Sequence, residues 1–144
     1  MTDPIKLIGN VASPYTRKMI AYLRYKRIPY EVIWGQPEDV LKKMNIEPPK
    51  PILLPVFILD RDGQATAVTD STPLIREFEK KYSDRSVLPK DPALNFINFV
   101  LEDFGDEWCT KFMFHYRWHF DEDADNAGTI LPLGINSNLK AVSY

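Results

Sequence analysis

Cysteine is nearly absent from this chain. Cys109 is the only one among 144 residues, so no disulfide can form within it, and the expected setting is reducing and cytoplasmic. Histidine is almost as scarce. His115 and His119 lie four apart and so share a helix face, with Asp121 and Glu122 close by. Two imidazoles without a second cluster do not complete a four-ligand site, so no metal is expected. No apolar run approaches the roughly 20 residues of a membrane span, so no membrane partner is expected. Met1-Thr2-Asp3-Pro4 lacks the basic and then apolar order of a secretory leader. There is no excess of basic residues, with 18 Lys and Arg against 20 Asp and Glu. Without a clustered Lys/Arg stripe, a nucleic-acid partner is not expected. Internal repeats and low-complexity tracts are missing as well.

The chain has the makings of one globular domain, or one with part of a second. Apolar residues make up 44% and charged residues 26%, as in ordinary globular proteins. Charge is unevenly spread. Residues 1–85 hold 14 Lys and Arg against 11 acids, whereas residues 86–144 hold 4 against 9. The first part therefore suits a small anionic ligand.

The stretch Ser13-Pro14-Tyr15-Thr16-Arg17-Lys18 follows the short apolar run 5–9, which reads as a buried strand. Ser13 is a good N-cap, and Pro14 suits a first helical position because its missing N–H would be unpaired there anyway. The free amides of that helix start form a weak positive end that favours an anion such as a thiolate. Met19, Ile20, Tyr22 and Leu23 give the helix one apolar face, and Ile28-Pro29 stops it. Residues 30–34 read as a strand parallel to the first, completing a βαβ unit.

Pro37 opens a second helix, with Glu38 and Asp39 early and Lys42 and Lys43 late, the order that the helix dipole favours. Residues 47–51 are proline-dense and irregular. In Leu53–Leu59 an apolar strand contains Pro55, which belongs at the strand's start or on a sheet edge because proline lacks the ladder donor. The Leu54–Pro55 bond is the foremost cis candidate. Asp62-Gly63 turns the chain into a hairpin whose second strand is 65–69. Ser71 or Thr72 then caps a helix with apolar positions Leu74, Ile75, Phe78 and Tyr82. Residues 1–83 thus read β-α-β-α-β-β-α, an α/β fold.

Residues 84–91 read as a linker. Asp91-Pro92 starts another helix, along which Leu94, Ile97, Leu101, Phe104, Trp108 and Phe112 form a stripe that is expected to be core. Cys109, beside Trp108, is expected to be a small buried apolar residue. Asp121–Asp125 reads as a solvated acidic run, and residues 128–144 show no period.

These three landmarks, Ser13-Pro14, Leu54-Pro55 and Asp70-Ser71, occur in an order that resembles the glutathione S-transferase superfamily. The resemblance implies a thioredoxin-like domain over 1–83, a linker over 84–91 and a partial all-α helical domain over 92–144, shorter than the family's. Related glutaredoxins carry Cys-Pro-Tyr-Cys where this chain has Ser13-Pro14-Tyr15-Thr16. Without either sulfur, thiol–disulfide exchange has no attacking or resolving group. The resemblance instead makes Ser13 the hydroxyl that stabilises the thiolate of glutathione. Asn10, in the same loop, is an alternative.

By position, Pro55 matches the family's cis-proline, and Leu54 would pair its backbone with the cysteinyl part of glutathione. Asp70 and Ser71 would hold the γ-glutamyl end, and Lys42 or Lys50 the glycyl carboxylate. The implied partners are glutathione as co-substrate, a partly apolar electrophile and a second copy of the chain. Conjugation is the implied reaction. Isomerisation, dehalogenation and binding without turnover share the same thiol site.

Overall fold

The computed structural model describes residues 3–135. Residues 136–144, which the sequence reading assigns to the helical part, lie outside the described residues. The thioredoxin-like part contains β1 (Ile5–Gly9), α1 (Pro14–Lys26), β2 (Tyr30–Trp34), α2 (Pro37–Met44), β3 (Val56–Arg61), β4 (Gln64–Val68) and α3 (Ser71–Lys81). The sheet runs in the order β2-β1-β3-β4. β1 and β2 are parallel, and β3 lies antiparallel to both β1 and β4.

Two apolar layers cover this sheet. Leu7, Met19, Leu23, Phe57, Leu74 and Phe78 pack α1 and α3 on one face. Ile8, Leu41, Val56 and Ala67 pack α2 on the other. Alternation along β1 explains the division, since Leu7 and Ile8 point to opposite faces. β3 starts at Val56 rather than Leu53, because Pro55 can pair only from the strand's margin. The peptide bonds before Pro51 and Pro55 are both cis. The cap of α3 is Asp70, not Ser71 or Thr72: its side chain accepts from the Thr72 amide at 3.3 Å.

Gly9 sets how closely α1 approaches the end of β1. A Cβ there would stand 2.5 Å from Thr16 Cγ2, and Thr16 is fully buried. Its hydroxyl also accepts from the Asn10 amide at 3.3 Å, so it has little freedom to withdraw. Gly9→Ala is therefore expected to cost about 1–3 kcal/mol, the usual penalty of overpacking. Chemical denaturation would check this; an unchanged midpoint would mean that Thr16 yields freely.

The helical part departs from the sequence reading. Residues 82–91 form no regular element, after which α4 (Pro92–Asp103) leads into a π-helical turn, Phe104–Trp108, and then α5 (Cys109–Trp118). The Cys109 amide reaches the Phe104 carbonyl, the wider i to i+5 bond of a π turn. Asp121–Ile135 form α6, where sequence suggested only an acidic run and aperiodic chain. Asp121, Glu122 and Asp123 remain largely exposed but occupy the first turn, where the helix dipole favours them.

The apolar stripe is not core among the described residues. Leu94, Ile97, Leu101, Phe104, Trp108 and Phe112 are all exposed, Leu101 at 63%. The half-buried face instead carries Glu102, Asp106, Cys109, Thr110, Met113 and Arg117. Cys109 is accordingly half-buried rather than enclosed. Periodicity identified an apolar face, but nothing among the described residues covers it.

Candidate functional site

The strand registers bring three distant stretches to one end of the sheet. Ile8, near the end of β1, faces Val56 at the start of β3. Phe57 then faces Val68 at the end of β4. The segments leaving β1, entering β3 and leaving β4 therefore gather at that end, across strands spaced about 4.8 Å apart.

At the first of these segments the chain turns by its own hydrogen bonds. The Asn10 side chain accepts from the Ala12 amide at 2.9 Å, and its carbonyl accepts from the Ser13 amide at 3.1 Å. Ser13 Oγ then accepts from the Thr16 amide at 3.2 Å. This cap uses a lone pair of the hydroxyl and leaves its proton available. Tyr15 is turned elsewhere, its hydroxyl donating to the Asp106 carbonyl at 2.5 Å. Burial, reinforced by Asp106 and Glu107, pushes the Tyr15 phenol up, so it stays protonated near neutral pH.

The second segment offers unpaired backbone. Neither the N–H nor the C=O of Leu54 joins another backbone group among the described residues. Leu54 is half-buried and Pro55 buried. Next to it, the Thr69 hydroxyl donates to the Leu53 carbonyl at 2.6 Å, tying this segment to the end of β4.

At the third segment Asp70 adopts φ +80° and ψ 115°, a conformation L-residues rarely take and one that tends to occur at functional sites. Ser71 is 7% exposed. Its Oγ accepts from Lys18 Nζ at 3.2 Å, which joins the starts of α1 and α3. The same ammonium donates to Glu102 Oε1 at 2.9 Å and to Asp106 Oδ2 at 2.6 Å. Thr72 Oγ1 also donates to Glu102, at 3.1 Å. Burial works against the Lys18 ammonium, but the hydrogen bonds to Asp106 and Glu102 outweigh it and hold its pKa above the ordinary lysine value.

The structure thus brings Ser13, Leu54, Pro55, Asp70 and Ser71 to one end of the sheet. Lys42 and Lys50 are exposed and form no ion pair among the described residues. Lys18, Glu102 and Asp106 were missed by the sequence reading. The available signal was a run of four acids, Glu102, Asp103, Asp106 and Glu107, in two pairs four apart at the end of a largely apolar stretch. The histidines are exposed and stack on each other, with centroids 4.5 Å apart. Among the described residues no group of three or more His, Cys, Asp or Glu could hold a metal ion. No helix there is long and apolar enough to cross a membrane.

The family model for the N-terminal domain of glutathione S-transferase matches residues 7–86, more than half of the chain. The chain belongs to the glutathione S-transferase family. A glutathione S-transferase of Methylobacterium radiotolerans, solved in complex with glutathione sulfonate, is similar in structure with a TM-score of 0.63 and 24% identity. That match covers 92% of this chain and 60% of the Methylobacterium one, and at this identity it shows the fold alone. A Tau class glutathione S-transferase of mango, Mangifera indica, is similar with a TM-score of 0.57 and 25% identity, over 90% of this chain and 60% of that one. The chain therefore spans 60% of the length of these glutathione S-transferases. Comparison with the curated proteins finds no match.

Proposed function

We propose that this chain binds glutathione across the end of the sheet where α1 and α3 begin, stabilises its thiolate and adds it to an electrophile. The observation that carries this reading is the backbone of Leu54, unpaired among the described residues and lying between two helix starts. An extended tripeptide reaches roughly 10 Å, about the distance from β1 to β4 at two strand spacings. Paired to Leu54 like an added strand, it has its γ-glutamyl end at α3 and its central cysteinyl sulfur beside the start of α1.

At α3, the Ser71 hydroxyl and the first-turn amides receive the γ-glutamyl carboxylate, the Lys18 ammonium holding the Ser71 oxygen in place so that its proton can point at the ligand. Asp70 lies near the ammonium. At α1, Ser13 keeps a hydroxyl proton to donate to the sulfur, and the helix start adds positive potential. Both favour the thiolate and lower the thiol pKa from about 8.5 toward neutrality. Lys42 and Lys50 are the candidates for the glycyl carboxylate, supported only by their place on α2 and before Pro51. The test is glutathione conjugation to a chlorodinitrobenzene, in wild type and Ser13→Ala, alongside calorimetric titration with glutathione. Turnover that needs Ser13 is expected; tight binding without turnover would reject the enzyme.

Binding without turnover is the alternative reading, favoured by the uncovered apolar face of α4 and α5. Homodimerisation belongs to the leading one. Leu94, Phe96, Ile97, Val100 and Leu101 on α4 are 45% to 66% exposed, and contiguous apolar surface of this kind normally marks an interface. Light scattering at micromolar concentration should give the mass of two chains; a single-chain mass would reject the dimer.

A further inference from the structure

Two guanidinium groups hang on successive carbonyls of the loop that leads to Ser13. Arg17 Nε donates to the Val11 carbonyl at 3.1 Å, and Arg117 Nη2 donates to the Ala12 carbonyl at 3.2 Å. Their positions differ in kind. Arg17 is exposed on α1, whereas Arg117 is half-buried and comes from α5, more than a hundred residues away. It lies on the same helix face as Thr110 and Met113, the face turned toward the thioredoxin-like part.

Arginine carries five N–H donors, and the described residues account for only one of those on Arg117. It forms no ion pair among them. The nearby acids are committed or out of reach. Asp106 and Glu102 hold Lys18, and Asp121, four residues further along, does not come within ion-pair distance of Arg117. A half-buried cation with unused donors, one residue from the thiol-activating position, is poorly explained as a loop support alone. A neutral donor would hold the Ala12 carbonyl as well.

We infer that Arg117 is a specificity-determining residue for the second substrate and selects electrophiles bearing a carboxylate or a similar oxyanion. The inference rests on the glutathione reading above and adds the chemical class of the electrophile. A planar, always-charged guanidinium matches a carboxylate through two parallel hydrogen bonds. Arg17, across the same loop, adds positive potential at longer range. In the reaction, the glutathione thiolate attacks the ring carbon bearing chlorine. A C–S bond forms, the C–Cl bond breaks, and chloride leaves with the bonding electron pair; the thiol proton has already passed to solvent.

The test pairs chlorodinitrobenzene with the chlorodinitrobenzoate that differs by one ring carboxylate, each rate divided by its uncatalysed rate. Wild type is expected to favour the carboxylate in kcat/KM. Arg117→Gln should reduce that preference about ten- to hundredfold, the range for a hydrogen bond to a charged group, and Arg117→Lys should restore part of it. Raising the ionic strength should also weaken the preference in wild type. Calorimetric titration with the two preformed glutathione conjugates reads the same selectivity without catalysis, with the carboxylated conjugate binding more tightly only when residue 117 is a cation. Equal losses for both substrates in Arg117→Gln would mean that Arg117 only supports the loop, and would overturn the inference. So would glutathione binding with no preference between conjugates, which leaves the glutathione reading standing. Failure to bind glutathione or either conjugate would overturn both.

Discussion

Ser13→Ala is expected to lower kcat/KM for glutathione conjugation by about two to three orders of magnitude, the usual effect of deleting one donor aimed at developing or stabilised negative charge. The direction follows from how the hydroxyl is used. Ser13 Oγ accepts from the Thr16 amide, which orients it, and its proton remains free for a sulfur anion. Alanine removes both functions. The lost cap costs about 1 kcal/mol of stability, too little to unfold an ordinary domain, so the rate loss should appear in a folded protein. Glutathione affinity should change far less, because the γ-glutamyl and backbone contacts proposed above lie elsewhere. The pH profile separates mechanisms. With the donor gone, the bound thiol titrates closer to its free value of about 8.5, so the variant should recover rate as the pH is raised past that value. Ser13→Thr keeps hydroxyl and cap and should restore much of the activity. A Ser13→Ala rate equal to wild type at pH 7 would remove serine from the mechanism. Tyr15 is a poor substitute, since its hydroxyl proton is already donated to the Asp106 carbonyl.

The second large effect is on stability. Lys26 on α1 has a side chain with no solvent exposure, paired at 2.9 Å with Glu79 on α3, whose side chain is 6% exposed. Glu79 also accepts from the hydroxyls of Tyr22 and Ser86, and Lys26 donates to the Tyr82 carbonyl at 2.6 Å. Glu79→Ala leaves an ammonium buried without its counter-charge, which is expected to cost about 3–5 kcal/mol. Against a total stability of roughly 5–15 kcal/mol, that is enough to leave the domain barely folded. Chemical denaturation should show the midpoint fall with little change in slope. A loss below about 1 kcal/mol would mean that water reaches Lys26.

The same carboxylate sets an acid limit. Burial tends to raise the Glu79 pKa, but hydrogen bonds from Ser86, Lys26 and Tyr22 outweigh it and hold it below the ordinary 4.5. A carboxyl whose folded pKa is depressed stabilises the fold above its unfolded value and loses that contribution as pH falls through the folded one. Wild-type stability should therefore decline as pH drops below about 4.5, and Glu79→Gln should flatten that part of the curve. Burial and the bond to Glu79 push the Tyr22 phenol far upward in turn, so it remains a donor across the whole range.

Much of the local structure was legible because its causes are local. Ser13-Pro14, Gln36-Pro37 and Asp91-Pro92 each mark a helix start, and α1, α2 and α4 begin at those prolines. Asp62-Gly63 marks the hairpin, where both residues take positive φ. The prolines before β3 mark a strand margin for the same steric reason anywhere in a chain. The cap of α3 was misjudged by one residue, since Asp70, Ser71 and Thr72 all carry capping oxygens and only the backbone geometry distinguishes them. α6 was missed because Gly128, Pro132 and Gly134 oppose helix locally. Its packing beside α5, with Ala127 buried, is not written in propensity.

What the sequence alone determined is the order and kind of the elements in the thioredoxin-like part, because caps, prolines, turns and apolar spacing act within a few residues of themselves. The tertiary structure decided which groups meet. Lys18 reaches Ser71 and two acids of the helical part, Lys26 is buried against Glu79, and Arg117 closes on the Ala12 carbonyl, over separations of 53 to 105 residues. It also decided that the polar stripe of α4 and α5, not the aromatic one, faces the sheet domain. A period shows that a helix has two unlike faces; only the three-dimensional arrangement says what lies against each of them.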